Sequence, residues 1–170
     1  MLDAFYGAFS PACFALLGLW LVVVQMRLGE WQGSASHRRR AYGVALHFVL
    51  PGVMSMFALI DTQNPAYWRV SFAVVALGGA AVMVLVRGLP AAGRLETAAY
   101  AAAVVLYLIV GVLAMIGGAD AARAEASLLT LLVFLGFNAA WLLLFEGLVP
   151  STPEAAAAAA AAAEGAKTSL

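Results

Sequence analysis

The sequence predicts an all-α fold: a polytopic membrane helix bundle with five transmembrane helices, N-terminus out and C-terminus in. Three observations predict it. Apolar residues outweigh charged ones beyond what a water-soluble domain tolerates, five stretches are each long enough to cross a bilayer, and basic residues gather in alternate connections. Apolar residues make up 65% of the chain and charged residues 11%, with a mean hydropathy of +0.97. A soluble domain carries about 25% charged residues, and one of 170 residues could not hide this much apolar surface from water. Hydrocarbon accepts it.

A spanning helix needs about 20 mainly apolar residues, and stretches 5–25, 41–61, 67–86, 97–117 and 127–148 qualify. The first is preceded only by Asp3 and the amino terminus, so it lacks the basic leader of a signal peptide and reads as a retained helix. It carries Pro11 near its start, Ser10, Gly18 and Gln25 on one face, and Cys13, read as a small buried hydrophobe. A polar, basic connection follows, from Arg27 to Arg40, with Trp31 at the expected inner interface.

The second span holds His47, Pro51 and Ser55 at i, i+4 and i+8, with Gly52 beside the proline. Proline has no amide hydrogen and its ring opposes the carbonyl four residues earlier, here that of His47. An imidazole, a freed carbonyl and a kink therefore coincide near mid-span, the depth at which interrupted helices of transporters bind ions and substrates. Interhelical hydrogen bonding by the same histidine is the plainer alternative.

Thr62–Gln63–Asn64–Pro65 then turns the chain, and Tyr67–Trp68–Arg69 opens the third span as an outer interfacial belt. Ala73, Ala76 and Ala80, with Gly78 and Gly79, give this span close-approach faces. Pro90 and Gly93 separate it from the fourth, which has Ala99, Ala103 and Gly111 as small residues, Tyr100 as an interfacial anchor and Tyr107 at a depth where its hydroxyl needs a partner. After Gly117–Gly118–Ala119–Asp120 the fifth span presents Ser127, Thr130, Phe134, Asn138, Trp141 and Phe145 on one face. Asn138 near mid-bilayer is read as interhelix glue or solute contact. Residues 1–149 form the membrane domain, and 150–170 an alanine-rich cytoplasmic tail with Thr152 and Pro153 as a helix start.

Orientation follows from the basic residues. With the N-terminus out, the inner segments carry Arg27, Arg38, Arg39, Arg40, Arg87, Arg94 and Lys167, seven in all, and the outer ones only Arg69 and Arg123. The outer acidic residues, Asp61, Asp120 and Glu125, would line a mildly cation-attracting vestibule.

Charge and cysteine content narrow the function classes. Nine basic and nine acidic residues give a formal net charge of zero, so no nucleic-acid partner is expected. Cys13 alone excludes an intrachain disulfide, a CxxC pair and a multi-cysteine metal site. His47 is the one histidine at membrane depth, too few for bis-histidine haem, and Asp61 and Glu146 stand at opposite helix ends. No enzyme, cofactor or metal is therefore expected. The partners expected are the lipid bilayer and either a homo-oligomer or another membrane protein, in the plasma membrane. The functional reading is a small oligomeric channel or transporter for an ion or small solute. Its candidate pathway or polar helix interface comprises His47, Pro51, Gly52 and Ser55 with Thr130 and Asn138. A non-catalytic subunit or scaffold of a larger membrane complex, held by the alanine and glycine faces of the third and fourth spans, is the alternative.

Phe137–Asn138–Ala139–Ala140–Trp141 supplies an Asn–x–x–Trp fragment, and five helices in a chain of this length resembles the translocator-protein (tryptophan-rich sensory protein) family in outline. That family's Trp–Pro-rich first loop is missing, and Leu143 stands where its Asn–x–x–Trp–x–Pro signature has proline, so no site or activity is carried over.

Overall fold

The computed structural model describes residues 2–60, 64–87 and 94–145. The alanine-rich tail, Asp61, the Thr62–Gln63 turn, Pro90, Gly93 and Glu146 lie outside the described residues. The described chain is helical: α1 (Leu2–Met26), α2 (Leu28–Trp31), α3 (Ala35–Ile60), α4 (Pro65–Arg87), α5 (Arg94–Ile116) and α6 (Ala119–Phe145). All but α2 are long and apolar enough to cross a membrane. At 1.5 Å per residue, the 27-residue α6 is about 40 Å long, more than the ~30 Å hydrocarbon core.

The helices overrun the apolar stretches because hydropathy reports where a chain is oily, not where its backbone coils. α3 begins at Ala35, so the Arg38–Arg39–Arg40 run is helical. α6 begins at Ala119, because Gly117 and Gly118, at φ 73° and 101°, end α5 in a left-handed conformation and an alanine-rich segment then coils at once. The one-turn α2 was not expected. It folds Trp31 inward to 6% exposure, beside Trp20 and stacked on His37, so this tryptophan closes the bundle instead of belting it.

Successive long helices run antiparallel. The starts of α1, α4 and α6 and the ends of α3 and α5 share one end of the bundle, called the N-terminal end below. There Tyr6 meets Phe72 edge-on, and Arg69 donates to the Ala114 carbonyl at 2.9 Å and also to that of Met115. At the opposite end the Trp20 indole N–H donates to the Ala41 carbonyl at 2.9 Å, and Arg27 reaches the Leu144 carbonyl at 3.3 Å. Both arginines thus place a cation on orphan carbonyls of a final helical turn.

α3 is the central element. Half of its apolar window is buried, against a third or less in the other long helices, and it packs on α1, α4 and α6. α4 pairs most closely with α5. Ala76, Ala80 and Ala103 are buried there, and Gly111 lies against Ala76, so the small-residue faces are spent inside the bundle. A Cβ on Gly79 would come within 2.8 Å of Leu50, which makes it a close-approach point between α4 and α3. α5 has no backbone approach to α3, and two tyrosines fill the space between them. Tyr107, fully buried, donates to the Leu46 carbonyl at 3.4 Å. Tyr100 donates to the Arg40 carbonyl at 3.4 Å and lies over Gly43, where a Cβ would collide with its hydroxyl. Buried to 6% exposure, Tyr100 is a bridge between helices and not a surface anchor.

Candidate functional site around His47 on the central helix

Buried polar side chains flank α3 on two sides. α1 turns Tyr6, Ser10, Cys13 and Trp20 inward at spacings of four, three and seven. On α3, Gly52 faces α1, whereas Gly43 and His47 face α5 and α6. The nine residues from Gly43 to Gly52 are about two and a half turns and put the two glycines on opposite sides. The α1 and α3 helices touch closely at Gly52. A Cβ on Gly52 would meet that of Cys13 at 3.1 Å, and the Ser10 hydroxyl donates to the Gly52 carbonyl at 3.2 Å.

His47 sits midway along α3, twelve residues or about 18 Å from Ala35, and is 1% exposed. Its Nδ1 lies 2.8 Å from the Gly43 carbonyl of its own helix. A carbonyl only accepts, so the neutral ring carries its hydrogen on Nδ1 and presents a bare lone pair at Nε2. That nitrogen has no hydrogen-bond partner among the described residues. Leaving a buried polar atom unpaired costs about 1–3 kcal/mol, which marks the position as one the fold maintains at a cost. Pro51, four residues on, leaves the His47 carbonyl without its helical donor, and the Ser55 hydroxyl donates to the Pro51 carbonyl at 2.8 Å. Ring edges of Tyr100 and the backbone of Gly136 on α6 complete the surroundings of the imidazole.

The six expected site residues divide into two groups. His47, Pro51, Gly52 and Ser55 are all buried on α3, with Gly52 turned to α1 and His47 to α5 and α6. Thr130 and Asn138 do not join them. Both lie on the outward face of α6, where the Thr130 hydroxyl donates to the Ala126 carbonyl at 3.0 Å and the Asn138 amide to the Phe134 carbonyl at 2.8 Å. α6 turns Glu125, Leu129, Leu132, Gly136 and Leu143 inward instead. Asn138 shares its outward face with Phe134, Phe137, Trp141 and Phe145, whose last three rings run in sequence along the helix.

Two participants were not read from sequence. Gly136 is the point at which α6 touches His47, since a Cβ there would overlap the His47 Cβ. Glu125, expected in an acidic vestibule, is 0% exposed, and neither carboxyl oxygen has a hydrogen-bond partner among the described residues. By contrast Asp120 is fully open and pairs with Arg123 at 2.9 Å. The available signal was register: Glu125 stands four, seven and eleven residues before Leu129, Leu132 and Gly136, on the apolar stripe of α6. Among the described residues no three His, Cys, Asp or Glu side chains converge as a metal site would require.

No family model, no curated protein and no solved structure matches this chain.

Proposed function

We propose that this chain is a multi-pass membrane protein that moves an ion or small solute through the bundle interior along α3, past His47. The observation that carries this reading is the open Nε2 of a fully buried histidine, halfway through the thickness of the bundle and one turn from a helix-breaking proline. Ionisable groups at such depth are costly and mark pathways and relays in membrane proteins. Ser10 and Ser55 are buried hydroxyls nearer the N-terminal end. α1 and α3 are in direct contact at Gly52, so passage requires the helices around α3 to part, for which the Pro51–Gly52 break is the weak point. The positive-inside count supports a reading with the N-terminal end outside and the opposite end in the cytoplasm.

The test is flux in proteoliposomes, read with a trapped pH dye under a potassium diffusion potential, and with potassium itself as the second probe. His47→Ala abolishes the flux or removes its pH dependence. Unchanged flux with unchanged pH dependence rejects the role of His47.

One observation favours a second reading, assembly with another membrane protein: the exposed Asn138 amide among aromatic rings on α6. The amide bonds the Phe134 carbonyl of its own helix, and a neighbouring helix can take up its remaining donor and acceptor capacity. Co-purification of one stoichiometric partner from membranes supports this reading, and a homogeneous oligomer with no partner counts against it. Gly79 is unsuited to probe that contact, because it packs on Leu50 within the bundle.

A further inference from the structure

We propose that Glu125 is a proton-binding site, buried one helical turn below the cavity-lining Ala122 at the N-terminal end of the bundle, with Tyr6 near it and, among the described residues, no hydrogen-bond donor on either carboxyl oxygen. The inference deepens the transport reading, by naming the proton as the species handled, and rests on it for the fate of that proton.

Glu125 lies two turns into α6, about 9 Å from Ala119. One turn nearer the helix start is Ala122, which lines a cavity of about 120 Å³ together with Leu2, Asp3, Tyr6, Ala58 and Trp68. Four helices therefore meet above the carboxyl. The charged and titratable groups near it are few. α1 brings Tyr6 and α4 brings Arg69, and Asp3 lines the cavity beyond Ala122. α3 brings only Ala58 among its described residues, and α5, also packed on α6, carries no titratable side chain after Tyr107. On α6 itself Asp120 and Arg123 point outward and pair with each other. Arg69 is committed to the terminal carbonyls of α5, so its guanidinium acts on Glu125 through space, without a hydrogen bond.

An ionised carboxylate sealed from water without donors costs several kcal/mol. It needs a positive charge bound to it. A hard metal ion there would require six or more oxygen ligands, and the cavity offers Asp3 and Tyr6 amid leucine, alanine and tryptophan. A proton needs only the carboxyl.

Dicyclohexylcarbodiimide distinguishes the two states of such a group. The acid passes its proton to a carbodiimide nitrogen while the carboxyl oxygen adds to the central carbon, and the acylisourea rearranges to a stable N-acylurea. An ionised carboxylate has no proton to give. The full chain in lipid vesicles, treated across about pH 5 to 9 and read by peptide mass, gives an adduct at Glu125 whose rate of formation falls about tenfold per pH unit above its midpoint. Glu30, exposed and paired with Arg27, serves as the ionised control. Glu125→Gln removes the adduct, and should that variant fail to fold, the pH profile of the unmodified chain decides alone. No adduct at Glu125 anywhere in the range, or a rate indifferent to pH, overturns the proposal. Flux does not enter this readout. A pH-dependent adduct in a protein whose His47→Ala variant conducts normally keeps the proton site and rejects the pathway. An unlabelled Glu125 in a protein whose flux depends on His47 does the reverse.

Discussion

At the residue scale, the smallest side chain in the site fixes the position of the most reactive one. Gly136 lets α6 lie directly on the Cβ of His47, and no other residue type leaves that space. Gly136→Ala therefore forces a shift of α6 or of the imidazole, at about 1–3 kcal/mol by the usual cost of overpacking. Gly18→Ala, where nothing stands within 4 Å, is the matched control. Unfolding in mixed detergent micelles should rank the first variant well below the second, and equal stability would show that α6 does not press on His47. His47 and Pro51 were legible in the sequence because an imidazole and a proline are rare in an oily helix and announce themselves. Gly136 and Glu125 were not. A glycine gains meaning only from what crosses it, and a carboxylate two turns from a helix start reads as surface until its register with Leu129 and Leu132 is weighed.

At the element scale, α6 carries two faces with different tasks. Its inward stripe packs on α3 at His47, and its outward stripe shows Asn138 among Phe134, Phe137, Trp141 and Phe145. The apolar lengths of all five long helices were legible, since a backbone in lipid must satisfy its own hydrogen bonds and the required run of oily residues is long. Which face of α6 turned inward was not, because polar residues mark both sides and the more conspicuous set, Thr130 and Asn138, proved to face out. On the oligomeric-transporter reading, as opposed to assembly with a different protein, an amide on that outward face, donor and acceptor together, suits pairing with a second copy. Asn138→Leu is expected to weaken self-association about threefold, the equivalent of ~0.6 kcal/mol for an interhelical hydrogen bond in lipid. Energy transfer between labelled chains across a range of lipid dilution measures it. A dilution curve that superimposes on that of the unchanged chain removes α6 from the interface.

At the scale of the whole molecule, both ends of the bundle are tied by arginines, Arg69 on α5 and Arg27 on α6, but the numbers of basic residues at the two ends differ. The seven-to-two bias predicts that a tag on the carboxyl terminus resists protease in intact cells and is cleaved in inverted vesicles. Cleavage from outside intact cells would reverse the threading, and with it the side from which Glu125 is reached. Charge gives the expected orientation that this experiment tests. Which helix occupies the middle was not legible, because it depends on how tyrosines and glycines such as Tyr107, Gly79 and Gly136 pack. Placing α3 there has a consequence for biosynthesis. The ribosome releases this helix second among the long ones, so its imidazole enters the bilayer long before Gly136 exists to cover it. Until the last helix arrives, the half-made protein has an uncovered flank, and membrane quality control has a period in which to recognise a chain that stalled short of completion.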